Sequence, residues 1–217
     1  MSDTALQAIL GKSPVIPVLT IERVEDAVPL GRALVAGGLP VLEVTLRTHV
    51  GLGAIEALAE HVPEALVGVG TLLSAEDVAA AQEAGAIFGV SPGATVELVD
   101  ATQRRKLPFL PGVATASEAM AMAARGHRFL KLFPASVVGG IPALKALGGP
   151  LSGITFCPTG GIGEADFLDY LKLPNVICVG GSWVAPADAI RAGDWKRIEA
   201  LARAARSKAE AAGWRAG

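Results

Sequence analysis

Short apolar runs alternate along this chain with longer, alanine-rich stretches of helical period. The runs cover residues 15–19, 41–46, 65–69, 87–90, 108–110, 129–133, 154–157 and 176–179. They recur about every 20–26 residues, the spacing of strand–helix units. Each is apolar almost throughout, as parallel strands covered on both faces must be. The intervening stretches carry helix signals. Residues 194–212 open on a capping Asp194, place Ile198, Leu201, Ala202, Ala205 and Ala209 on one stripe, and stop at Gly213. Residues 74–84 and 95–105 also start on a capping hydroxyl, and Ser74 to Asp77 loosely fits a capping box. A short amphipathic piece, 3–10, ends at Gly11 and predicts an extra helix under the first strand.

No Pro/Ser-rich linker, charge shift or low-complexity segment interrupts the pattern. Eight unbroken units predict one α/β domain over 1–217, a single (β/α)8 TIM barrel over 14–212 with the N-terminal helix over 3–11. A doubly wound open sheet is the structural alternative.

Composition narrows the partners. The 217 residues carry a net charge of -2 and are 51% hydrophobic. Charge so near zero, with no basic block, argues against a nucleic-acid partner. No apolar stretch approaches the ~18 residues of a membrane span. No secretory signal pattern opens the chain, so a cytoplasmic location is expected. Cys157 and Cys178 lie inside apolar runs and read as small buried hydrophobes.

Two runs contain charge. Phe129-Leu130-Lys131-Leu132-Phe133 sets a lysine mid-strand, and Val41-Leu42-Glu43-Val44-Thr45-Leu46-Arg47 does the same with a carboxylate. Strand alternation puts Val41, Glu43, Thr45 and Arg47 on one face, and Phe129, Lys131 and Phe133 on one face. If both faces point inward, Lys131 and Glu43 are neighbours across the interior. Taking an ammonium out of water disfavours its charged form. A free amine there is a nucleophile that forms a Schiff base with a carbonyl. The competing reading is a structural ion pair in the core.

Active sites of such barrels sit at the C-terminal strand ends, with phosphate bound after the seventh and eighth strands. Those ends carry Cys157-Pro158-Thr159-Gly160-Gly161-Ile162 and Val179-Gly180-Gly181-Ser182-Trp183. Two Gly-Gly pairs let backbone N–H groups approach an anion, and Ser182 adds a hydroxyl. Thr71, Ser91-Pro92-Gly93 and Pro111-Gly112 end earlier strands and either line the mouth or make ordinary turns. His49, His61 and His127 are scattered without metal-ligand spacing, so no metal is expected. His61 and His127 read as helix-end cations. No dinucleotide fingerprint follows the first strand.

As a set, these motifs resemble the bacterial 2-keto-3-deoxy-6-phosphogluconate (KDPG) aldolases and 4-hydroxy-2-oxoglutarate (KHG) aldolases. The resemblance runs from residues 37–48 through Val-Ser-Pro-Gly at 90–93, Lys-Leu-Phe-Pro-Ala at 131–135, Cys-Pro-Thr-Gly-Gly-Ile at 157–162 and Gly-Gly-Ser-Trp at 180–183. It implies a class I aldolase acting on a phosphorylated keto acid, a homotrimer, with no cofactor beyond a covalent imine on Lys131. It further implies Lys131 as the Schiff-base lysine and Glu43 as the acid/base. By the same resemblance Arg47, helped by Thr71, binds the carboxylate, and Phe133 packs beside the lysine. Gly160, Gly161 and Ser182 hold the phosphate, and Thr159 lines the pocket. Residues 136–140 differ from the acidic or amide-bearing segment of many members and lie toward the aldehyde end.

The reading is therefore reversible cleavage of KDPG to pyruvate and glyceraldehyde 3-phosphate, in the Entner–Doudoroff route. The alternatives are a KHG aldolase releasing pyruvate and glyoxylate, and a phosphate-binding isomerase or epimerase that forms no imine. A non-catalytic barrel that senses a phosphorylated ligand is the reading outside enzymes.

Overall fold

Apolar runs buried on both faces pair as parallel strands, and the computed structural model, which describes residues 2–217, contains them. The strands are β1 (Val15–Leu19), β2 (Val41–Thr45), β3 (Leu66–Gly70), β4 (Phe88–Val90), β5 (Phe109–Leu110), β6 (Gly112–Val113), β7 (Phe129–Leu132), β8 (Thr155–Pro158) and β9 (Val179–Gly181). Six form a curled parallel sheet in the order β5-β4-β3-β2-β1-β9, and three form a second sheet in the order β6-β7-β8. Isolated parallel bridges at Phe156–Val176 and Thr159–Gly180 link the two sheets.

Two departures from the sequence reading have physical causes. The fifth run, 108–110, ends at Pro111, which has no N–H to give to a ladder. β5 pairs with β4, whereas β6, beyond Pro111 and outside the expected run, pairs with β7, so the continuous sheet expected from eight equal units breaks there. The Pro111 carbonyl still accepts the Lys131 N–H at 2.9 Å. The last run, expected at 176–179, becomes strand only at Val179. Val176 finds Phe156 on one side, but the neighbouring β1 first receives it where the Val179 N–H meets the Pro14 carbonyl. Apolarity marked the buried approach; pairing set the strand.

The helices are α1 (Ser2–Leu10), which lies at one end of the interior, and, over the outer face, α2 (Ala27–Ala36), α3 (Gly51–His61), α4 (Ala75–Glu83), α5 (Val96–Arg104), α6 (Ala116–Ala124), α7 (Gly140–Gly148), α8 (Phe167–Leu171), α9 (Ala187–Ala192) and α10 (Trp195–Ala211). The expected caps form. Ser74 accepts from the Asp77 N–H and Asp77 answers it, a full capping box; Thr95 caps α5 and Asp194 caps α10. A second box, Thr115 with Glu118, opens α6. On α10, Ile198, Ala202, Ala205 and Ala209 are buried, while Leu201 is only half-buried at the stripe's edge.

Burial separates into two cores. The larger lies between sheet and helices and holds the outward residues Leu42, Val44, Val67, Val69, Leu130 and Leu132. The smaller lies inside the curl and joins Ile16, Val41, Phe88, Val90, Leu110, Phe129, Cys157 and Cys178 to Leu6 and Leu10 of α1. Thus α1 closes one end of the interior, held by Asp3, whose carboxylate accepts the Arg128 N–H at 2.8 Å. His127, read from sequence as a helix-end cation, is instead buried with neither ring nitrogen hydrogen-bonded, its ring edge-on to Phe109 at 6.0 Å. Burial lowers its pKa; Arg125 reinforces the shift and Asp3 opposes it.

Candidate active site

The alternation of side chains along β2 and β7 determines the site. Leu42 and Val44 face the helices, which turns Glu43 and Thr45 inward. Leu130 and Leu132 do the same for Lys131. Lys131 Nζ donates to Glu43 Oε1 at 3.1 Å, with both residues about 95% or more buried. The amine also stands 5.3 Å from the centre of the Phe133 ring. Desolvation offsets much of the attraction in a lysine–carboxylate pair drawn this far out of water, so stability alone gives little reason to keep it there.

A cavity of about 170 Å³ opens directly on this pair, lined by Val18, Glu43, Thr45, Arg47, Thr71, Pro92, Lys131, Phe133 and Thr159. The Thr45 hydroxyl donates to the Leu19 carbonyl at 2.8 Å, which fixes its rotamer beside Glu43. Thr71 sits at φ 64, a left-handed conformation that a β-branched residue rarely adopts. Arg47 is exposed at the rim. Pro92 is held where the Gly112 backbone packs on its carbonyl, a contact that leaves no room for a side chain.

A second cavity of about 450 Å³ shares Val18, Arg47, Phe133 and Thr159 with the first, so the two are continuous. It continues over Gly160, Gly161, Gly180, Gly181, Ser182 and Trp183. The amides of Gly161, Ile162, Ser182 and Trp183 donate to no backbone carbonyl among the described residues. Free amides converging on a cavity form an anion cradle. The loops are pinned from behind: the Ala135 N–H donates to the Thr159 carbonyl at 2.8 Å and the Ser136 N–H to the Gly160 carbonyl at 3.0 Å.

The structure thus gathers Lys131, Glu43, Arg47, Thr71, Pro92, Phe133 and Thr159 around one cavity, and Gly160, Gly161, Gly180, Gly181 and Ser182 around the other. The two glycine pairs differ in kind. Gly160 and Gly161 have φ of 100° and 74° and form a loop, as expected. Gly180 and Gly181 end β9 instead of following it. They lack side chains because Thr159 and Trp183 fill that space.

The sequence reading missed Val18 and Thr20, which line the site from β1 and its end. The same period-2 alternation that found Glu43 would have found them, since Val18 pairs directly with Glu43. His49 is exposed after β2 and lines neither cavity. Among the described residues no three His, Cys, Asp or Glu converge as a metal site, and no helix is long and apolar enough to cross a membrane. Burial, and after it the neighbouring Cys157, pushes the Cys178 thiol well above its ordinary range.

Comparison with known proteins converges on one family. The family described as KDPG and KHG aldolase matches residues 6–201. A 2-dehydro-3-deoxy-phosphogluconate aldolase of Pseudoalteromonas atlantica is 50% identical over 199 residues, 92% of this chain and 93% of that protein. A KHG/KDPG aldolase of Escherichia coli K12 is 50% identical over 202 residues, 93% of this chain and 95% of its own. Among solved structures, a KDPG aldolase of Legionella pneumophila, with pyruvate captured at low pH as a covalent carbinolamine, superposes with a TM-score of 0.91. It shares 47% identity over 93% of this chain and 98% of that one. With identity near one half along almost the whole length, the chain belongs to the KDPG and KHG aldolase family.

Proposed function

We propose that the protein is a class I aldolase that reversibly cleaves KDPG to pyruvate and glyceraldehyde 3-phosphate. One observation carries the reading: a buried amine and a buried carboxylate meet deep in the first cavity, Lys131 Nζ donating to Glu43 Oε1 at 3.1 Å. The relatives' activity supports it, as does the carbinolamine formed by pyruvate in the Legionella enzyme.

The steps follow from the geometry. Lys131 Nζ, its proton taken by Glu43, attacks the substrate C2 carbonyl. Glu43 returns a proton to the new hydroxyl, water leaves, and a protonated imine forms. Glu43 then removes the C4 hydroxyl proton. The C3–C4 bond breaks, its electrons flow into the imine, and the aldehyde departs. Glu43 protonates C3 of the enamine, and water releases pyruvate and free Lys131. Arg47, with Thr71, binds the keto-acid carboxylate as a charge-assisted pair. Gly161, Ile162, Ser182 and Trp183 amides hold the phosphate and fix the scissile bond over the lysine. Phe133 packs against the amine and Pro92 walls the pocket. Pyruvate chemistry of this kind uses the protein's own imine in place of a cofactor.

A second activity on KHG has a specific motive. The Escherichia coli relative is a KHG/KDPG aldolase, and Arg47 borders both cavities, where it can meet a carboxylate at either end. The same reading extends to the architecture. A closed (β/α)8 barrel over 14–212 is supported by the bridge at Thr159–Gly180 and by the single residue, Pro111, between β5 and β6. Assembly as a homotrimer and a cytoplasmic location complete it.

The test is mass spectrometry after incubation with pyruvate and borohydride. A reduced pyruvate adduct on Lys131, absent from Lys131→Ala, supports the reading. A folded protein that forms no adduct sinks it and restores the isomerase. Initial rates on KDPG and KHG then rank the substrates.

A further inference from the structure

Strand β3 contributes little to the interior except absences. Its outward residues, Val67 and Val69, are ordinary core. Two of its inward positions, Gly68 and Gly70, have no side chain. Neither glycine has a positive φ, so neither is required by backbone conformation. Each is required by what stands over it. A β-carbon on Gly68 would enter the Phe88 ring. The three atoms that a β-carbon on Gly70 would meet first all belong to the Glu43 side chain: Oε1, then Cγ at 2.7 Å and Cδ at 2.9 Å.

Gly70 pairs with Thr45 and Gly68 with Glu43 across β2 and β3. Glu43 therefore does not project straight across the interior. Its carboxyl arm leans up the sheet to the next inward-facing pair, two residues on, over the Gly70 backbone, and from there reaches Lys131. Thr45, locked onto the Leu19 carbonyl, occupies the other side of that path. The carboxylate has a bare patch of β3 beneath it and the amine ahead of it.

We propose that Gly70 is a positioning residue for the reaction: its missing side chain is the socket that holds the Glu43 carboxylate against Lys131. The inference rests on the aldolase reading above. It adds a specificity for residue type at a position that touches neither substrate nor lysine. The atoms displaced by Gly70→Ala belong to a flexible side chain, not to backbone, so the arm can swing away while the strand keeps its ladder. An error of about 1 Å in a reacting group costs on the order of 100-fold.

The test is a double-mutant cycle on kcat with Gly70→Ala and Glu43→Ala. Gly70→Ala alone should lower kcat for KDPG by about 10- to 100-fold while KM changes little, because Arg47 and the phosphate loop are untouched. In the Glu43→Ala background the same change should cost nothing, since the socket is already empty. Equal losses in both backgrounds, or no loss in the first, would overturn the proposal. If Gly70→Ala alone does not fold, the cycle is read on Tm. Because Glu43→Ala alone leaves Lys131 unpaired, the reference is Lys131→Met with Glu43→Ala: a Tm unchanged when Gly70→Ala is added there supports the socket, and a failure to fold there overturns it. Reduction of the pyruvate imine on wild-type Lys131 is measured in parallel. Its absence removes the aldolase reading itself, whereas its presence with an unaltered rate in Gly70→Ala removes only the socket.

Discussion

The Thr159 side chain occupies the space that a β-carbon on Gly180 would fill, at the point where the two residues bridge β8 to β9. This contact draws the two sheets together. It also sets the width of the passage between the cavities, because Thr159 lines both. A seam in the fold and a wall of the site are here the same pair of residues.

Gly180→Ala should therefore act on both. Overpacking of this kind costs about 1–3 kcal/mol, and a displaced Thr159 narrows the route from the phosphate cradle to Lys131. The expected result is a lower Tm together with a raised KM for KDPG. The pyruvate adduct, which needs only the inner cavity, should form at a rate near that of the wild type. A variant with normal KM and lowered Tm would confine Thr159 to the seam.

Much of this was legible in the chain before the fold. Period-2 alternation placed Glu43, Thr45, Arg47 and Lys131 on inward faces because their neighbours Leu42, Val44, Leu130 and Leu132 had nowhere else to go. Cap chemistry marked α4, α5 and α10 for the same local reason. What alternation could not show was pairing between distant strands. The start of β9 depends on where β1 begins, and the break at Pro111 depends on which neighbour each half finds. His127 carried no local sign of burial, since its surroundings come from α1 and Phe109. Gly70 carries no local sign of its role, because the group above it lies 27 residues earlier in the chain.

The buried pair predicts a conflict between stability and activity. Removing one partner leaves a charge uncompensated in the core and costs about 3–5 kcal/mol, while replacing both with apolar residues of similar volume is neutral or stabilising. Lys131→Met alone should lower the denaturant midpoint. Lys131→Met with Glu43→Leu should recover it or exceed the wild type, with no aldol cleavage. Equilibrium urea unfolding decides; a double variant weaker than the single one would contradict this ordering.

His127 sets a pH dependence. Burial lowers its folded-state pKa below the unfolded value of about 6.5. Below that value the unfolded chain binds the proton more readily than the folded one, so stability is complete above about pH 6.5 and falls as pH drops through the folded-state pKa. The groups facing the ring temper this only partly: Asp3 raises the pKa and Arg125 lowers it. His127→Phe, which keeps the edge contact with Phe109, should flatten the Tm profile between pH 7 and pH 5. An unchanged slope would assign the acid sensitivity to other groups.

Ser74 caps α4 and lines neither cavity. Ser74→Ala removes the acceptor for the Asp77 N–H and should cost about 1 kcal/mol. For a chain of this size that is a fall of about 2–4 °C in Tm. The kcat and KM for KDPG should not move. A loss of activity at permissive temperature would show that loosening this cap reaches Thr71, three residues before it.

Thr71 separates the cost of a site from its use. A left-handed conformation costs a residue with a β-carbon roughly 1–2 kcal/mol, and the half-buried Thr71 side chain, lining the cavity, packs less than a core side chain would. Glycine carries no such penalty but loses about 0.5–1 kcal/mol of chain entropy on folding. Thr71→Gly should thus leave a net gain on the order of 0.5–1 kcal/mol, seen as a small rise in Tm. The same change removes the hydroxyl beside Arg47 and should raise KM for pyruvate in imine formation, with a smaller effect on its maximal rate. If Tm falls instead, the Thr71 side chain contributes packing that outweighs its strain. If Tm rises and imine formation is untouched, the strain serves the backbone turn after β3 and not the substrate's carboxylate.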